Sequence, residues 1–411
     1  MRLFEKTIKF VFSVSLVASV AIWSMIVASA NSTFARYLVT EGQSLEISEY
    51  IQAIPCEKSL PSITAGNEKQ KAELKLFGIF PIKTVTLSKS EEKYVVPGGI
   101  PFGVKMISDG VMITAVSGVN CEGRVVSPAR DAGLKIGDVI VSINDEIMHS
   151  NEDVISAVND ADGNALNVTV KHPNGNSEQL KLKPVLDSSD KCYKLGIWVR
   201  DSSAGIGTVT FYDPQSQTFG GLGHAVCDSD TGNALALLEG EIVGAEIDGV
   251  TKGKNGAPGQ LCGHFSPYFG AGRILKNDET GVYGTLNKVK VMSQPIPVAF
   301  KQDVKVGKAT MLTTICGSSA EEYEIEIEKI CIGDGRKTKN MVVHITDRRL
   351  LSQAGGIVQG MSGSPIIQNR KLVGAVSHVF VNDCTRGYAI FAENMLETAQ
   401  SVANEQSKEA S

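Results

Sequence analysis

Gly360-Met361-Ser362-Gly363-Ser364-Pro365 sets a serine between glycines at a tight turn, just before the apolar run Ile366-Ile367. Glycine opens backbone conformations closed to other residues, so the Ser362 hydroxyl can stand clear and neighbouring amides can converge on one point. That frame suits a nucleophile, and it also suits a plain turn between two strands. A serine hydroxyl attacks only after a base takes its proton, and imidazole is the usual base because it titrates near neutral pH. The chain holds six histidines. His149 and His172 fall in an earlier block, and His344 and His378 sit in strand-like runs, where they pack or line a sheet face. His224, in Gly220-Gly221-Leu222-Gly223-His224, stands where a strand breaks, bordered by small residues, and is the preferred base over His264, His344 and His378. A carboxylate must fix its tautomer. Asp347 follows the strand-like Val342–Thr346 and precedes Ser362 by 15 residues; Asp228, Asp230 and Asp248 compete. Thr346-Asp347 ahead of Arg348-Arg349-Leu350-Leu351 reads equally as a helix cap.

Short apolar runs with frequent glycines and turn signals roughly every ten residues follow Leu195, the pattern of an all-β barrel or sandwich. Glu322–Lys329 alternates charged with apolar residues, as a half-buried strand does. Earlier, Ser127-Pro128 opens a short helix that Gly133 ends; Gly137-Asp138 turns into a strand over Val139–Ile143; and Asn151–Asp160 reads as a helix capped by Asn151. Residues 31–95 read as a tether and a small β element, and 399–411 as a polar tail.

The block 96–186 resembles a PDZ domain, through Ala132-Gly133-Leu134-Lys135-Ile136-Gly137-Asp138-Val139-Ile140. The resemblance implies that Gly99, Ile100, Pro101, Phe102, Gly103 and Val104 receive the C-terminal carboxylate of a peptide by strand addition. The serine loop resembles the Gly-x-Ser-Gly-x-Pro turn of chymotrypsin-like peptidases. Nearly the whole chain is similar to the SpoIVB peptidase family of endospore-forming bacteria: Lys75–Lys83, the PDZ-like block, Gly221-Leu222-Gly223-His224-Ala225, and Gly355-Gly356-Ile357-Val358-Gln359 running into the serine turn. This implies a mainly β chain with a chymotrypsin-like double barrel over 187–398, a catalytic triad of His224, Asp347 and Ser362, and an oxyanion hole from the amides of Gly360 and Ser362. Against trypsin-type enzymes the aspartate sits unusually close to the serine, and Ser364 stands where those enzymes carry glycine. The family further implies self-cleavage in trans and cutting of a membrane-bound regulator of an intramembrane protease, a signal to a late mother-cell sigma factor. It places that event between the forespore and mother-cell membranes.

Net charge is −5 with no long Lys/Arg run, which excludes nucleic acid as an expected partner. Arg2, Lys6 and Lys9 precede the uncharged Phe10–Ala30, long enough to cross a bilayer and to send the rest outside. Ala28-Ser29-Ala30 also fits signal-peptidase cleavage, so residues 1–30 read as an anchor or a removed signal. The eight cysteines form no Cys-x-x-Cys pair and read mostly as buried small apolar residues. Cys262-Gly263-His264 offers too few ligands for a metal, and no cofactor is expected. Rival readings are a PDZ scaffold with an inactive peptidase domain and a general degradative peptidase.

Overall fold

The computed structural model describes residues 2–40, 45–56, 69–266, 272–286, 294–332 and 337–409. The uncharged N-terminal run lies in helix α1 (Arg2–Asn31), whose segment Phe12–Asn31 is long and apolar enough to cross a membrane, with a mean hydropathy of 1.9. The region expected as a tether and a small β element holds a larger sheet than that. Alternating apolar residues build a five-stranded sheet over residues 36–89, closed on one side by a parallel pairing of Arg36–Val39 with Thr86–Lys89. Tyr37, Leu74, Leu76 and Val85 form its core.

Two long strands then organise the middle of the chain. Strand β1 (Pro101–Val116) begins in a barrel and ends in the PDZ-like block. That block adds helix α2 (Asn151–Asp160), whose cap is Ser150 in a capping box with Asp153 rather than the expected Asn151. Strand β2 (Ile197–Asp213) returns antiparallel along β1, pairing from Ile197↔Val116 to Thr208↔Pro101, with register shifts after Trp198 and Arg200. The C-terminal half of β1 and the N-terminal half of β2 belong to the PDZ-like core with Val154, Val158, Leu166 and Leu195. Their other halves join strands β3 (Thr218–Gly221), β4 (Leu237–Thr251), Gly272–Asp278 and Gly281–Leu286 in a ring of pairings that closes on itself through β1 and β2. Phe102, Val104, Val209, Phe219, Ile242 and Val282 fill that first barrel.

The second barrel is closed by six strands between Gly307 and Phe391. Between two of them, Met341–Ile345 and Pro365–Gln368, the chain forms helix α3 (Arg348–Ala354) and the serine loop. Strand β5 (Lys371–Phe380) follows directly. The expected polar tail is instead the second half of helix α4 (Ala392–Glu409), which buries Ala399 and Val402 because its apolar residues recur at helical spacing. The architecture is thus mainly β: an apolar N-terminal helix, a small five-stranded sheet, the PDZ-like block and two β-barrels.

Candidate active site

The serine loop is held from below by the first barrel. Thr208 of β2 donates its amide to the Ser362 carbonyl at 3.0 Å and its hydroxyl to the Gly360 carbonyl at 2.8 Å. Thr210 donates its hydroxyl to the Gly363 carbonyl at 2.7 Å. Gly363 has no alternative: its φ is +95°, and a Cβ there would lie 2.0 Å from the Thr208 carbonyl oxygen. These bonds turn the carbonyls away and leave the amides of Gly360 and Ser362 without a protein acceptor among the described residues. Two free amides flanking a serine are what an oxyanion hole requires. Ser362 is partly exposed, whereas Ser364 is fully buried and donates to the Thr313 hydroxyl at 2.9 Å, a structural serine with no route to a substrate.

His224 reaches the same place from the other barrel. The turn Leu222-Gly223 carries both residues into left-handed backbone, which ends β3 and swings the imidazole into a cleft of about 680 Å³ shared with Gly360, Ser362, Ser377 and His378. Its Nδ1 lies 2.7 Å from the Ala225 carbonyl oxygen. A carbonyl only accepts, so Nδ1 carries the proton and Nε2 keeps a free lone pair, the tautomer of a general base. Burial pushes the His224 pKa below its ordinary value, partly offset by the Ala225 bond. In the resting site the Ser362 hydroxyl donates to the Ser377 carbonyl at 3.1 Å.

Asp347 is not brought to this pair. It caps helix α3, accepting from the Arg349 amide at 2.8 Å and from the Arg349 guanidinium at 2.9 and 3.2 Å, with the Glu324 amide at 3.3 Å. The competing Asp248 faces His264 at 3.1 Å, both largely exposed. Asp228, buried, and Asp230 hold the Arg200 guanidinium of β2. None of the four carboxylates lines the cleft. What faces His224 is a second imidazole. His378, expected merely to pack or line a sheet, places its ring 5.1 Å from that of His224, and its Nδ1 is buried with no hydrogen-bond partner among the described residues. Burial, then the neighbouring His224 and Lys339, pull its pKa down to about 4, so it stays neutral. Its sequence signal was position: two residues of β5, Ser377 and His378, follow the serine loop on the strand that flanks it.

The residues expected to form the PDZ carboxylate site are built into the first barrel instead. Phe102, Gly103 and Val104 are paired on both sides, to Gly205–Gly207 of β2 and to Ile242–Gly244 of β4, and Phe102 and Val104 are buried in the first barrel. The Gly99 carbonyl accepts from Thr314, and Pro101 opens the paired run opposite Thr208. Gly99, Ile100, Pro101, Phe102, Gly103 and Val104 therefore have no free strand edge to offer. The cysteine expectation fails as well: of the eight, all unpaired, Cys384 alone is buried.

Residues 191–396, half of the 411-residue chain, match the SpoIVB peptidase S55 family. The chain belongs to that family. Residues 98–183 match the PDZ domain family, so a PDZ domain precedes the S55-family region. A putative zinc metalloprotease of Clostridium acetobutylicum is 26% identical over 156 residues, 38% of this chain and 42% of that relative's length. Among solved structures, the PDZ domain of an SdrC-like protein from Listeria monocytogenes is 24% identical, covering 22% of this chain and 87% of that one, with a TM-score of 0.18. The Rv3671c protease of M. tuberculosis in its active form is 14% identical, covering 49% and 74%, with a TM-score of 0.28. The HtrA-type protease AlgW with decapeptide is 10% identical, covering 50% and 55%, with a TM-score of 0.30.

Proposed function

We propose that the chain is an endopeptidase in which Ser362 is the nucleophile, His224 the general base, and the amides of Gly360 and Ser362 the oxyanion hole. The observation that carries this reading is the meeting of Ser362 and His224 in one cleft, with the amides of Gly360 and Ser362 left without an acceptor among the described residues. Rotation of the Ser362 hydroxyl from the Ser377 carbonyl toward His224 Nε2 passes its proton to the imidazole as the oxygen attacks the scissile carbonyl. The carbonyl oxygen, now negative, takes the two amides. His224, now cationic, keeps its Nδ1–H on the Ala225 carbonyl and returns the other proton to the leaving amine. In this reading the backbone carbonyl does the orienting that Asp347 was expected to do.

Family membership and the apolar N-terminal helix support a finer reading: an exported, membrane-associated enzyme acting between the forespore and mother-cell membranes, which processes itself and cuts a membrane-bound regulator of an intramembrane protease during sporulation. The PDZ domain then selects the protein substrate. Cleavage of a protein substrate by the purified chain beside its Ser362→Ala form tests the catalytic reading: fragments from the first and none from the second are expected, and equal fragmentation by both would reject it.

A further inference from the structure

Strand β2 has one edge paired with β1 from Ile197 to Thr208, and from Ile197 to Ile206 its other edge pairs with no strand among the described residues. That open edge passes two sites. At its far end Ser202, Ala204, Gly205 and Ile206 line the catalytic cleft, two residues short of the Thr208 that grips Ser362. At its near end lies α2, antiparallel to it: the Asn151 amide donates to Asp201 at 2.9 Å and the Asn159 side chain accepts from the Tyr193 amide at 3.2 Å. Helix and strand share one apolar core, with Val154 and Val158 of the helix and Ile197 and Val199 of β2 packed against it. Just before the strand, the Leu195 and Gly196 carbonyls are taken by Ala129 and Ser117 at 3.0 and 2.8 Å, whereas both amides have no acceptor among the described residues. Gly196 sits at φ +75°, where a Cβ would lie 2.5 Å from the Ser117 oxygen. Consecutive unbonded amides around a left-handed residue form a concavity for an anion, and a peptide's terminal carboxylate is the anion that continues as a strand.

Strand addition of a free C-terminus is the general mode of PDZ domains; we propose that here the C-terminus so held on the Leu195 and Gly196 amides is the substrate's own, and that its last residues run antiparallel along the open edge of β2 into the cleft. This rests on the peptidase reading of Ser362 and His224, and it adds a ruler. From Ile197 to Ile206 the edge spans about 30 Å at ~3.3 Å per residue, so the bond presented to Ser362 lies roughly eight to eleven residues from the terminus. The preferred substrate class is thus a carboxy-terminal segment trimmed at a set distance, and not an internal loop.

The test uses the full chain in detergent with peptides that carry one scissile sequence followed by about four, nine or sixteen residues, each as free acid and as C-terminal amide. Fluorophosphonate labelling of Ser362 is run alongside. The expected result is kcat/KM at least about tenfold higher for the nine-residue acid than for the other lengths, and a loss of about tenfold on amidation that appears in KM. Equal kcat/KM at all three lengths, or amides cut as fast as acids, would overturn the ruler while leaving a labelled Ser362 intact. Absence of labelling would instead remove the catalytic reading on which the ruler stands.

Discussion

Ser362 and Ser364 lie two residues apart, and burial separates their roles. Ser362→Ala is expected to lower turnover by several orders of magnitude with the fold unchanged. Ser364→Ala removes a buried hydroxyl that bonds Thr313 at 2.9 Å, so it should cost about 1 kcal/mol of stability and keep the nucleophile; urea unfolding beside a cleavage assay separates the two effects. His224 must be neutral to accept a proton, and burial lowers its pKa from the ordinary 6.5. It therefore stays deprotonated to lower pH than a free imidazole, and the acid limb of kcat/KM is expected below pH 6.5; a limb above that value would contradict the geometry. Asp347 is held at a pKa of about 2 by the Arg349 guanidinium and two amides. A depressed carboxylate contributes stability above its unfolded pKa, about 4, and loses it as pH falls from there toward 2. Asp347→Asn should thus flatten the acid end of the stability curve and leave turnover within about tenfold, against the roughly 10⁴-fold loss of a triad aspartate.

At the scale of elements, the ion pair of Arg200 with the fully buried Asp228 and with Asp230 ties β2 to the loop that follows His224. Arg200→Gln strands a buried carboxylate. With the guanidinium about a third exposed, the loss should be roughly 2 kcal/mol, below the full cost of breaking a buried pair, and it should appear as a lowered urea midpoint. This level also marks where the sequence stops being readable. Ser362 and His224 announce themselves locally, because glycine-framed turns are short-range features. Asp347 does not: a helix cap and a triad acid both place an aspartate after a strand, and 15 residues of spacing fix no direction in space. Gly99–Val104 misled for a related reason. Its partners in β2 and β4 lie over a hundred residues away, and no local pattern reports that both edges are taken. The helix after residue 399 was missed because Ala399 and Val402 are its only strong apolar marks among polar neighbours.

The molecule as a whole is a double barrel with a PDZ domain grown from two of its strands. Cutting out 96–186 would remove Pro101–Ser108 of β1 and open the first barrel. Because Ile107 pairs with Ser202, replacing residues 110–199 by a short Asn-Gly turn instead closes a hairpin and keeps Arg200. That variant is expected to fold, measured by a cooperative thermal transition, and to keep Ser362 reactive while losing selection among protein substrates; an unfolded product would show that the PDZ domain props the barrel. The central claim, that Ser362 is activated by His224 across the barrel interface, is tested most directly by treating the chain with a fluorophosphonate and locating the adduct by mass spectrometry. The account predicts a single adduct on Ser362, absent from Ser362→Ala and strongly reduced in His224→Ala. An adduct on Ser364 or any other residue, or labelling undiminished by His224→Ala, would contradict it.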